Sequence, residues 1–218
     1  MPGRAVPLVN GEYYHIYNRG SDKRDIYIQP RDYNRFQKTI YYYQFLGPKL
    51  SFSKFAKSEL NSFKPDSEKK LVEIICYCLM PNHFHFLVKQ VKTNGISFFL
   101  SQLSNSYTKY FNTKYERVGA LLQGTFKSVL IETDEQLIHV SRYIHLNPVV
   151  SRLTKELNSY KWSSYPEYIF GNSLICSIDE ILNFFPSPQK YQEFVDAQIE
   201  YGTSLEILKH RIIDYGDG

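Results

Sequence analysis

Residues 72–90 read VEIICYCLMPNHFHFLVKQ. Both flanks are β-branched, aromatic and apolar, and the Pro81–Asn82 pair between them favours a tight turn, so the stretch predicts a hairpin of two strands. Side chains alternate along a strand, which sends His83, His85 and Leu87 to one face and Phe84, Phe86 and Val88 to the other. The phenyl face is the one a helix would cover. The opposite face is expected to stay open, with two imidazoles about 7 Å apart by strand rise. On the preceding strand, alternation places Ile74, Cys76, Cys78 and Met80 on one side and Glu73, Ile75, Tyr77 and Leu79 on the other. Both cysteines are expected among buried side chains, as small hydrophobes.

Working outward, YYHIYNR (13–19) predicts a first strand and PRDYNRFQKTIYYYQFLG (30–47) a helix that stops at Gly47. A second helix is expected from Ile96 to about Glu116, its buried stripe running through Phe99, Leu100, Leu103, Tyr107, Tyr110 and Phe111. GTFKSVLIET (124–133) reads as a fourth strand. Thr133 and Gln136 make a capping pair that opens a further helix, which Pro148 is expected to end. The order strand–helix–strand–strand–helix–strand indicates an α+β, ferredoxin-like sandwich with an antiparallel sheet. The Lys/Ser-rich stretch 48–70 is expected to be a solvated insertion, and 159–218 a mostly helical C-terminal extension with amphipathic segments at 178–185 and 191–199.

The chain has 218 residues, 43% hydrophobic and 16% aromatic, which suits a packed core and excludes disorder. A formal charge of +4 permits nucleic acid without demanding it. No apolar run approaches the roughly 20 residues of a membrane span. The opening MPGRAVPLVNGEYYH lacks the apolar region of a signal peptide. Three cysteines, an odd number, suit a reducing compartment. A soluble cytoplasmic protein with no membrane partner is expected.

Two imidazoles on one face can share an ion, although a hydrogen-bonded pair is the plainer reading of so short a spacing. HVSRYIHLNPVV (139–150) sets Tyr143 and Asn147 four residues apart on one helical face. Asn147 offers a carbonyl oxygen, a hard ligand suited to Mg²⁺ or Mn²⁺, and Tyr143 offers a phenolic oxygen one turn away. A packing tyrosine and a capping asparagine are the plainer readings here. A metal that grips a phosphate, with a tyrosine beside it, would make a phosphoryl-transfer site.

Six motifs then carry a resemblance: YHIYNRG, YCLMPNHFHFLV, SYTKYFN, LLQGTFKSVLI, YIHLNPV and WSSYPEY. They occur in the order found in single-tyrosine HUH transposases, and the chain most resembles the REP-associated branch, from about residue 11 to 170. The resemblance weakens through EILNFF and YQEFV, which are similar to the C-terminal extension of many members. It implies a ferredoxin-like catalytic domain over 1–158 that cuts and rejoins single-stranded DNA beside REP-like hairpins. It further implies His83 and His85 as metal ligands flanking Phe84, Asn147 as the third ligand, Mg²⁺ or Mn²⁺ as the ion, and Tyr143 as the nucleophile. The product would be a 5′-phosphotyrosine and a free 3′-hydroxyl, formed in the cytoplasm at the nucleoid. His15 and His139 are candidate proton relays, and Arg19, Lys23, Arg24, Lys127 and Arg142 candidate DNA contacts beside base-stacking tyrosines. Monomer and homodimer both stay open. Two other functions compete: an HUH replication initiator, which commonly carries Lys four residues after the tyrosine where this chain has Asn147, and a non-catalytic single-strand-binding protein on the same fold.

Overall fold

The computed structural model describes residues 7–47, 52–54, 66–171, 173–200 and 202. Four strands, β1 (Tyr13–Arg19), β2 (Val72–Met80), β3 (His83–Gln90) and β4 (Lys127–Ile131), form one sheet in the order β2-β3-β1-β4. Every neighbouring pair is antiparallel. With α1 (Pro30–Tyr43) and α2 (Gly95–Lys114) between the strands, this is the α+β, ferredoxin-like arrangement. Most of the polar stretch 48–70 lies outside the described residues.

Helices α1 and α2 cover the phenyl face. Phe36 of α1 sits at its centre, with ring centroids 5.5 Å from Phe84, 6.3 Å from Phe86 and 4.8 Å from Tyr107 of α2. Tyr107 is buried and donates to the Ile26 carbonyl, and Tyr110 donates to Asp32, so both tyrosines serve the core. Asp32, wholly buried, also accepts from the backbone N–H groups of Ile28 and Gln29 and from Lys114 and Tyr115. It thereby caps α1 and ties it to the end of α2.

On β2 the strict alternation fails. The pairing shifts between Ile74 and Cys76, so that Ile75 bulges out of register. Ile74 therefore joins Tyr77 and Leu79 in the core under α1 and α2, while Ile75 joins Cys76, Cys78 and Met80 on the other face. That other face is not open. Helix α3 (Asp134–Val150) lies across β2 and β3, braced by α4 (Tyr165–Phe170), α5 (Asp179–Leu182) and α6 (Pro188–Asp196), and buries Ile75, Cys76, Cys78, Met80 and Leu87. Among the described residues, the part toward β1 and β4 stays accessible. The segment before α4 also covers the β2 edge, where Leu79 N–H reaches the Trp162 carbonyl and Ser164 N–H the Tyr77 carbonyl.

At the start of α3, Thr133 Oγ1 accepts from Gln136 N–H at 3.1 Å, while the Gln136 side chain accepts from Glu132 N–H. Pro148 does not end the helix, which runs on to Val150. Proline lacks the N–H that would reach Ile144, but Pro148 and Val149 are both buried, and their packing holds the last turn. Among the described residues no helix is long and apolar enough to cross a membrane, and the cysteines are free thiols.

Candidate functional site

The site forms where the accessible part of the sheet meets α3. Tyr17 pairs with both His85 and Lys127, and Arg19 pairs with His83, so these side chains share one face. With Tyr143 and Asn147 they line a cavity of about 720 Å³.

Each imidazole of the His83–His85 pair has one nitrogen already engaged. His83 Nδ1 lies 2.6 Å from Asn82 Oδ1, which can only accept, so Nδ1 carries the hydrogen and Nε2 keeps its lone pair. His85 Nδ1 lies 2.9 Å from His15 Nε2. When Nδ1 donates across that contact, His85 too presents a bare Nε2. Burial lowers the pKa of His83 to about 4, helped by the nearby Arg19 charge. Burial also takes His85 to about 2, with His83 and His15 adding to the effect, and His15 to about 4. All three are neutral at pH 7, the form a cation needs.

Tyr143 is 51% exposed, with its ring edge-on to His85 at 5.6 Å and to His15 at 5.9 Å. Asn147 Nδ2 donates to the Tyr143 carbonyl at 2.8 Å, which leaves Oδ1 as the amide's remaining polar atom. Two imidazole nitrogens and an amide oxygen fit Mg²⁺ or Mn²⁺. Among the described residues no three His, Cys, Asp or Glu side chains are arranged to hold an ion. An ion here therefore needs the amide, phosphate oxygens or water beside the imidazoles.

The structure thus brings His83, His85, Tyr143, Asn147, Arg19 and Lys127 together, with His15 immediately behind. It does not bring in the others. Arg142 lies 4.1 Å over the Phe194 ring and contacts His139 Nδ1 at 2.6 Å, so both residues face α6. Arg24 is engaged with Ser21 and Asp22 in the turn after β1, beside Lys23. Tyr17 and Asn82 were not among the expected site residues. Alternation along β1, which groups Tyr13, His15, Tyr17 and Arg19, carried a signal for Tyr17. Asn82 reads in sequence only as a turn residue.

The family model described as "Transposase IS200 like" matches residues 50–147, a stretch that contains His83, His85, Tyr143 and Asn147. Among solved structures the chain is similar to a REP-associated tyrosine transposase bound to a REP hairpin. The two are 13% identical, at a TM-score of 0.58, over 81% of this chain and 92% of that one. It is also similar to a putative transposase from Deinococcus radiodurans R1, 11% identical at a TM-score of 0.37, over 66% of this chain and 95% of that one. No curated protein matches.

Proposed function

We propose that the chain is a transposase of the IS200-like family, whose model matches residues 50–147, and that it cuts and rejoins single-stranded DNA beside REP-like hairpins through a covalent bond to Tyr143. One observation supports this above the rest: an accessible phenol shares a cavity with two imidazoles whose second nitrogens are held by Asn82 and His15.

A free tyrosine ionises near pH 10, so about one in a thousand is phenolate at neutral pH. Mg²⁺ or Mn²⁺ held by His83, His85 and Asn147 would neutralise charge on the scissile phosphate and fix it for in-line attack. Tyr143 Oη attacks phosphorus, and the bond to the 3′ oxygen breaks. The leaving 3′ oxygen takes up a proton to become a hydroxyl, while the 5′ phosphate stays on the tyrosine. Attack by a second 3′-hydroxyl reverses the step and joins new strands without a nucleotide cofactor. Because the phenol is half exposed, its own proton can pass to solvent. His15 steadies His85, and His139 is turned toward Arg142, so neither is assigned as the base. Arg19 and Lys127 neutralise phosphates, and Tyr17 offers a ring for stacking an unpaired base. In this reading residues 1–158 carry the chemistry and 159–218 support them, and a single chain supplies every group.

The test is a denaturing gel of protein mixed with end-labelled single-stranded hairpin DNA from sequence flanking the gene, in Mg²⁺, Mn²⁺ or EDTA. A metal-dependent, denaturation-resistant band that Tyr143→Phe and His83→Ala both abolish is expected. Tight hairpin binding with no band under any condition would make the chain a binding protein instead.

A further inference from the structure

Helix α3 carries a third residue that the chemistry above does not use. His145 lies between Tyr143 and Asn147 in sequence and is wholly buried. At about 100° per residue it points about 160° away from both, into the protein. Both ring nitrogens are engaged there. Nδ1 is 2.7 Å from the Tyr191 hydroxyl on α6, and Nε2 is 2.8 Å from Ser164 Oγ at the start of α4.

The network extends past the ring on each side. Ser164 Oγ accepts from Tyr77 N–H on β2 at 2.8 Å and lies 3.2 Å from the Tyr77 carbonyl. The Tyr191 hydroxyl also meets Ser141 Oγ, one turn earlier on α3, at 3.1 Å. Tyr168 and Tyr165 pack edge-on against the imidazole, at 4.8 and 5.4 Å. The imidazole thus joins α3 to β2, to α4 and to α6 at one point. A helix lying on a sheet by apolar contact alone can turn about its axis with little change in buried area. Two directional bonds from one rigid ring remove that freedom.

We propose that His145, clamped by Tyr191 and Ser164, is a positioning residue that sets the rotation of α3 and so aims Tyr143 and Asn147 at the His83–His85 pair. The C-terminal extension is then the far side of the active site. Its Tyr191 acts on the cavity through α3 without entering it. This rests on the transposase reading for its kinetic consequence, but the geometry it describes does not.

Two variants separate aim from folding. His145→Phe fills the ring's place and leaves each neighbour another partner: Tyr191 keeps Ser141, and Ser164 keeps Tyr77. Tyr191→Phe removes one oxygen and no volume. Each would be checked for folding by circular dichroism. Adduct formation would be timed in single turnover at saturating hairpin DNA, alongside hairpin affinity. 3-Fluorotyrosine placed at 143 would report, by its ¹⁹F signal, where that ring lies against His85 and His15. The expected result is a tenfold or greater loss of rate in His145→Phe and a smaller loss in Tyr191→Phe. Affinity should change less than twofold, and the ¹⁹F signal should shift or broaden. Should His145→Phe fail to fold, Tyr191→Phe decides. Unchanged rate and unchanged ¹⁹F signal overturn the proposal, as does a parallel loss of rate and affinity with the ¹⁹F signal unmoved. If wild type forms no adduct while the ¹⁹F signal still moves in the variants, the clamp stands and the transposase reading falls.

Discussion

A metal-binding histidine is useful only if its ring is aimed and its lone pair is in the right place. In the proposed site Asn82 would aim His83 and His15 would aim His85. Second partners of this kind typically contribute 10–100-fold in metal affinity. His15→Phe keeps an aromatic ring beside Tyr17 but removes the nitrogen that faces His85. Mn²⁺ affinity, followed by titration calorimetry, is expected to fall by about that factor while His83 stays in place. Undiminished affinity would mean that His85 is aimed by packing alone. Arg19 works in the same small space: it sits in register with His83, and its charge helps keep that imidazole neutral.

At the scale of elements, the hairpin 72–90 decides the architecture because its two faces have different jobs. Phe84 and Phe86 hold the α1–α2 layer, and His83 and His85 hold the site. Phe84 is completely buried, so Phe84→Ala is expected to cost about 3–5 kcal/mol in a denaturant titration. A loss below 1 kcal/mol would mean that the layer collapses onto the gap. Alternation and turn chemistry are local properties, and they make the strands, α1 and α2, and the two-faced hairpin legible in the amino-acid sequence alone. What escaped is non-local. The bulge at Ile75 is a pairing feature, visible only against β3. The helix past Pro148 depends on burial of Pro148 and Val149 by the rest of the chain. The covered face depends on α3, more than forty positions downstream of β3, and on the helices beyond it that brace α3, and the clamp on His145 joins groups from Tyr77 to Tyr191. Likewise, His139 and Arg142 share a helix with Tyr143, but the Phe194 ring, remote in sequence, draws them away.

For the whole molecule, the buried imidazoles tie stability to pH. Burial lowers His15 and His83 to about 4, His145 to about 3 and His85 to about 2. The same groups in the unfolded chain take up protons near 6.5. Between about pH 6.5 and 4 the unfolded state therefore binds protons that the folded state refuses, and stability falls as pH falls. Above about pH 6.5 both states are neutral and this contribution is complete. The metal-free protein is expected to melt at progressively higher temperature from pH 4.5 to 6.5 and then level off, with a shallower rise in His145→Phe. A flat profile over that range would show that the imidazoles are solvated. On the proposed function the partition of the sheet also bears on the substrate: among the described residues β2 is sealed by α3, α4 and α6, so a DNA strand would have access over β1 and β4, past Tyr17, Arg19 and Lys127. The measurement that bears hardest on the whole account is peptide mapping by mass spectrometry of the protein–DNA adduct formed on hairpin DNA. The account expects one modified peptide, with Tyr143 joined to a 5′ phosphate and a free 3′-hydroxyl on the other fragment. Attachment at another residue, or through a 3′ phosphate, would contradict it.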